Sequence, residues 1–227
     1  MTDRMGIIVA SRTMSKRLPR KALLPLQSDL PMILFLLERL KPSKGVQIVF
    51  ATTELETDDD LADVVRKSGT PVFRGSADDL IARYVAAADR FGFEVVGRVT
   101  GDCPFVNAEL VNYCVGKLGG LDGFDLVSTK GAFPVGLDIE LYRASTMKRV
   151  FDTAPLTDAD REHLTLYLYN HANQFSLHTL PCPPEWQCAG RTFTVDTFSD
   201  LEEAREIASK FKSPVFPLSA LAREVAP

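Results

Sequence analysis

The chain has 227 residues, of which 45% are hydrophobic and 25% charged, and its net charge is -4 at neutral pH. This is an ordinary globular composition, enough for one large domain or two small ones. The acidic balance argues against general nucleic-acid binding, and no apolar run reaches the roughly eighteen residues of a membrane span or has the layout of a signal peptide, so neither nucleic acid nor membrane is an expected partner.

The pattern opens with an apolar run over 5–10 that reads as a strand. A nearly all-apolar stretch, 31–40, reads as a buried helix and VQIVFAT, 46–52, as a second strand. Residues 58–68 place Leu61, Val64 and Val65 at helical spacing behind a run of acids, where a helix N-terminus favours them. Gly69 ends that helix, and 71–73 starts a short strand. A helix over 77–91, a strand over 94–100 and a helix over 108–118 follow. This alternation predicts a mostly parallel sheet covered by helices on both faces. The second half is less regular. Strands are expected at 125–128, 137–142, 175–180 and 192–195, and helices at 144–151, 158–171 and 200–211, the last being the final element. No Gly/Ser linker divides the chain, so the expectation is a single α/β domain with an insertion around 130–190 serving as a lid or dimerisation element.

The four cysteines, Cys103, Cys114, Cys182 and Cys188, lack CxxC spacing and read as free thiols, which makes a cytoplasmic location the expectation. His171 and His178 read as surface or structural residues.

The loop after the first strand, VASRTMSKRLPRK, carries Arg12, Lys16, Arg17, Arg20 and Lys21 among Ser11, Thr13 and Ser15. A basic, hydroxyl-rich loop leaving the first strand of an α/β sheet suits phosphate. Ligands of open α/β sheets sit beyond the carboxyl ends of strands. Asp102 lies just past one strand, in RVTGDCP, where Gly101 permits close backbone approach, and Asp196 just past another, in FTVDTFSDL, with Thr197 or Ser199 able to cap the next helix. Alone, Asp102 would close a turn and Asp196 would cap a helix. Together, facing the basic loop, they suggest a site for Mg²⁺ and phosphate.

The loop SRTMSKRLPRK resembles the nucleotide-binding loop of the cytidylyltransferases that make CMP-activated sugars, the CMP-KDO synthetases and N-acylneuraminate cytidylyltransferases. RVTGDCPFV and TVDTFSDL resemble their two metal motifs. FRGSADDLIARY, GLDIELY and DREHLTLYLYNH resemble the branch of spore coat polysaccharide biosynthesis protein F. The resemblance implies a fold related to GT-A glycosyltransferases, often homodimeric, that transfers CMP from CTP to a sugar hydroxyl with Mg²⁺ and releases pyrophosphate. By position it assigns Arg12, Ser15, Arg17 and Lys21 to the nucleotide, with Arg98 in the same set, and Asp102 and Asp196 to the metal. Arg17, Lys21 and Asp102 would act on the reaction itself, with His163 as a side chain for catalysis or substrate, and Glu140, Arg161 and Glu162 as contacts for a sugar acid. Two departures stand out: Arg20 replaces a usual glycine, with its side chain expected in solvent, and Thr194 replaces an aspartate of the sialate-type enzymes. A glycosyltransferase using a nucleotide sugar and a non-catalytic homologue are the alternatives; acids at 58–60 and 158–160 formally match D-x-D.

Overall fold

The computed structural model describes residues 3–188 and 190–226. Apolar, β-branched runs form the first strand, β1 (Met5–Ala10), and a two-strand hairpin of β2 (Pro25–Gln27) and β3 (Leu30–Pro31) leads into helix α1 (Met32–Leu40). Then come β4 (Val46–Thr53), α2 (Asp59–Lys67), β5 (Val72–Gly75), α3 (Leu80–Phe91), β6 (Val95–Thr100) and α4 (Ala108–Leu118). The second half supplies β7 (Leu126–Ser128), β8 (Glu140–Arg143), α5 (Ala144–Thr153), α6 (Asp158–Glu162), α7 (Leu166–Asn170), β9 (Leu177–Thr179), α8 (Phe198–Ser209) and α9 (Leu218–Glu224).

Seven strands form one sheet in the order β5-β4-β1-β6-β8-β7-β9. Only β8 runs against its neighbours; the other pairings are parallel. The 130–190 segment therefore feeds an internal strand and an edge strand into the same sheet. Strand side chains alternate between faces. Ile7, Val9, Val95, Val99, Val127 and Leu141 join a core with α1, α2, α4, α8 and α9. Ile8, Val49, Val96, Leu126 and Tyr142 join a second core with α3, α5 and α7. The sheet is covered on both faces, as expected from the alternation.

Three sequence expectations need correction. The 192–195 stretch is not a strand; it forms one isolated bridge, Val135 to Thr192, because it lies as a strap across two loops, with Phe193 N donating to Val135 O at 2.7 Å and Val195 N to Asp102 O at 2.8 Å. The 158–171 helix is broken into α6 and α7. His163 leaves helical geometry, Leu164 turns into the core and the Thr165 hydroxyl reaches Glu140 at 3.0 Å. Such tertiary contacts override local helical propensity. Helix α8 is not the final element, since α9 follows it, packing Leu218, Leu221 and Ala222 inward. The β2–β3 hairpin, two very short strands, was not anticipated.

Arg39 is the surprise in the apolar helix α1. It is 1% exposed, its Nε and Nη2 donate to Phe105 O at 3.3 and 3.0 Å, its Nη1 to Pro214 O, and it lies 3.9 Å from the Phe216 ring centroid. Burial pushes its pKa down to about 9, so it stays charged at neutral pH. It ties the loop that carries Asp102 to the C-terminal segment. Arg39→Leu should destabilise the protein by about 2 kcal/mol or more, because buried Phe105 and Pro214 carbonyls lose their donors. Urea unfolding checks this, and an unchanged midpoint would contradict it.

Candidate active site

The basic loop is held at both ends. Thr13 N and Oγ1 donate to Asp58 Oδ1 at 2.7 and 2.6 Å, and its carbonyl accepts from Ser15 N and Arg20 N at 3.0 and 2.9 Å. Asp58 Oδ2 in turn accepts from Thr52 Oγ1 at 2.9 Å and from Thr53 N and Oγ1 at 3.2 and 2.5 Å. Burial works against ionisation of Asp58, but these donors, Thr13 first, outweigh it and hold its carboxyl below the usual range. The sequence disguises this anchor as one acid in a helix-start run. Gly101 has the expected role: a Cβ there would lie 2.6 Å from Ser11 Cβ, so the loops after β1 and β6 touch.

At the far end of the loop, Lys21 is only 8% exposed. Its Nζ donates to Asp102 Oδ2 and Asp196 Oδ1, both at 3.0 Å, and to Val195 O at 2.7 Å. Arg17 Nη2 reaches Asp196 Oδ2 at 2.9 Å. Burial raises the Asp102 pKa, but the charge and hydrogen bond of Lys21, with the Thr100 hydroxyl, bring it net below the usual carboxylate value. Asp196 N and Thr197 N donate to Asp200 Oδ2, and Thr197 Oγ1 accepts from Asp200 N, a capping box that fixes Asp196 at the mouth of α8. Arg17, Lys21, Asp102 and Asp196 thus meet at one point on the carboxyl edge of the sheet.

The other expected residues make their contacts elsewhere. Arg12 is exposed and donates to Ala77 O at 3.4 Å, and the Ser15 hydroxyl accepts from Leu18 N at 3.5 Å. Arg98 Nη1 donates to Glu140 Oε2 at 2.7 Å, on the opposite face from the hydrophobic core of α1 and α4. Glu140, 2% exposed, also accepts from Thr165 and, at 2.7 Å, from Tyr169 OH, so it braces the 165–169 segment rather than standing free. Arg161 pairs with Asp79, the cap of α3, while His163 and Glu162 are exposed. His171 Nδ1 lies 2.9 Å from Tyr167 O, and His178 Nε2 3.0 Å from Gly123 O. All four cysteines are free, and burial pushes the Cys103 thiol up to about 12. Of the formal D-x-D acids, Asp58 holds the loop as above, Asp60 pairs with Arg20 and Asp160 closes the α6 capping box, while Asp158 is exposed.

No group of three or more metal-binding side chains occurs among the described residues. A hard cation that also takes phosphate oxygens and water needs only one or two carboxylates. Lys21 takes Asp102 Oδ2 and Asp196 Oδ1, so Asp102 Oδ1 and Asp196 Oδ2, the latter paired with Arg17, are the oxygens that could hold such a cation.

A mostly parallel α/β sheet, a basic loop after its first strand and two carboxylates gathered beneath that loop define a nucleotidyltransferase-type site. The chain belongs to the cytidylyltransferase family, whose model matches residues 6–216. It is 35% identical over 205 residues to an uncharacterised protein of Methanocaldococcus jannaschii, covering 90% of this chain and 83% of that one. It is 32% identical over 208 residues to the spore coat polysaccharide biosynthesis protein SpsF of Bacillus subtilis, covering 89% and 85%. A 3-deoxy-manno-octulosonate cytidylyltransferase of Hydrogenovibrio crunogenus is 30% identical over 153 residues, covering 64% and 60%. Among solved structures, a cytidylyltransferase from Leptospira borgpetersenii superposes with a TM-score of 0.92 at 31% identity, covering 99% and 94%.

Arg20, where such loops usually have glycine, has φ 56° and ψ 21°, the left-handed region. That conformation is the physical reason for a glycine there. The side chain is half in solvent and pairs with Asp60 at 2.8 Å. Left-handed geometry costs an ordinary residue about 1–2 kcal/mol, and an exposed ion pair returns about 0.2–1. Arg20→Gly should therefore leave thermal stability unchanged or raise it slightly. A clear drop in melting temperature would contradict this.

Proposed function

We propose that the protein transfers CMP from CTP to a hydroxyl of a sugar acid and releases pyrophosphate, in surface polysaccharide or glycan synthesis. The observation that carries this reading is the convergence of Lys21 and Arg17 on Asp102 and Asp196. The family supports cytidylyl transfer, and the octulosonate relative supports an acid acceptor.

In the reaction the acceptor oxygen attacks the α-phosphorus in line, and negative charge grows on the phosphate oxygens and the departing pyrophosphate. Lys21 is fixed and largely buried, so it supplies positive charge without reorganising. Arg17, with a side chain 65% exposed and one carboxylate contact, can swing from Asp196 onto a phosphate. Arg12 and Ser15 stand along the same loop for the nucleotide. Asp102 and Asp196 would hold Mg²⁺, which when bound supplies further charge neutralisation on the triphosphate.

A pyrophosphate-release screen of four nucleoside triphosphates against octulosonic and nonulosonic acids tests the reading. CTP with one acid class should stand out; release with no pair would overturn it. Asp102→Asn and Asp196→Asn should each lower turnover at least about 10²-fold with the fold intact. CTP with Mg²⁺ should raise the melting temperature more than ATP or GTP does. Normal turnover in either variant would remove that residue from the site.

A further inference from the structure

Beside the Lys21 centre, the sheet face opposite the α1–α4 side carries a second polar constellation. Registers β6–β8 and β8–β7 set Arg98, Glu140 and Ser128 side by side. Helix α7 covers this row: Tyr169 OH donates to Glu140 Oε1 at 2.7 Å and lies 2.8 Å from Ser128 Oγ. Pairing persists one step further, since Thr129 N donates to Ile139 O at 3.1 Å. Beyond the paired registers, Thr100, Lys130 and Asp138 follow as an outer row at the edge where Asp102 follows Thr100, with Lys130 and Asp138 in the loops after β7 and before β8 and the charges of Lys130 and Arg98 acting on Asp138.

This outer row is only partly covered. Lys130 is exposed, Asp138 and Thr100 half-buried. Lys130 Nζ stands 5.8 Å from the Tyr169 ring centroid and makes no ion pair among the described residues. Asp138 spends one oxygen, Oδ1, on Gly136 N at 2.9 Å, leaving Oδ2 open. Its position is stiff: a Cβ on Gly136 would lie 2.5 Å from the Phe193 carbonyl carbon, so 136–138 is pressed against the strap that leads to Asp196. Beneath the row, Arg98 Nε is fully buried with no partner.

We propose that Asp138 and Lys130 form the acceptor subsite, with Lys130 holding the carboxylate of the sugar acid and Asp138 taking the proton of its attacking hydroxyl. This rests on the cytidylyl-transfer reading. The acceptor O–H bond breaks and its proton passes to Asp138 Oδ2. The freed electron pair forms the new O–P bond to the α-phosphorus, and the bond from that phosphorus to the bridging oxygen breaks, leaving its electrons on pyrophosphate. Asp138 then returns the proton to solvent.

The surroundings of Asp138 suit that role. Burial and the charge of Glu140 push its carboxyl upward, against the Gly136 amide and the cations Lys130 and Arg98. Cys103 is the other titratable group facing it, a neutral thiol, and the 192–194 strap carries none. A base with a raised pKa gains proton affinity.

The test uses CTP, Mg²⁺ and whichever octulosonic or nonulosonic acid gives the fastest pyrophosphate release. Asp138→Asn should lower kcat about 10²-fold or more while CTP affinity and melting temperature hold. The wild-type rate should fall on an acid limb above the ordinary carboxylate range, and Asp138→Asn should remove that limb. Asp138→Glu should restore part of the rate. Lys130→Ala should raise the acceptor KM about tenfold with little change in kcat. Retained kcat or an unmoved acid limb in Asp138→Asn overturns the base, as does loss of CTP affinity alongside kcat, which would make the residue structural. An unchanged KM in Lys130→Ala overturns the anchor. If the wild type releases no pyrophosphate with any acid, the parent reading fails and this subsite falls with it.

Discussion

One ammonium group, the Nζ of Lys21, draws three distant parts of the chain to a single point. It reaches Asp102 after β6 and both Asp196 and the Val195 carbonyl before α8. Without it, two carboxylates would face each other in a partly desolvated edge, where like charges repel. With it, Asp102 is held ionised. A largely buried ion pair contributes little net stability, because desolvation offsets attraction, but removing one partner is costly. The arrangement is better understood as preorganisation. The charges that must meet a triphosphate are placed before it arrives.

That placement depends on a second, quieter constraint. The loop from Thr13 to Arg20 has little core of its own and would be mobile if left to its composition. Asp58 fixes its start through Thr13 while also binding Thr52 and Thr53 at the end of β4. The Thr13 carbonyl then closes the loop onto Arg20, which accepts left-handed geometry so that Lys21 can turn inward. Strand end, loop and lysine form one mechanical unit. Arg39 secures the Phe105 end of the Asp102 loop. The centre is thus braced through both loops that meet there, the one after β1 and the one after β6.

Much of this was legible in the sequence because it follows from period and position. Apolar runs with helical spacing between them fix a mostly parallel sheet, and residues just past strand ends must lie on one edge, which is why Asp102, Asp196 and the basic loop could be brought together. Contacts that override local pattern were not legible. The 158–171 stretch has helical spacing throughout, yet Thr165 breaks it to reach Glu140. The 192–195 stretch has strand composition but serves as a strap, each end spent on a different loop. Asp58 looks like any acid at a helix start, and Arg39 like an exposed position in an apolar helix. Nothing local marks either as a buried tie. The glycine-to-arginine change at Arg20 was visible, but its left-handed backbone was not.

The central claim is that Lys21 is the fixed positive charge around which the nucleotide site is built. Isothermal titration of CTP with Mg²⁺ into the wild type and Lys21→Met tests it most directly. Loss of the fixed charge that the triphosphate meets predicts that affinity falls roughly tenfold, about 1.4 kcal/mol, with the variant still folded by circular dichroism. An affinity equal to that of the wild type would contradict the account, since the lysine would then serve only to hold two aspartates together.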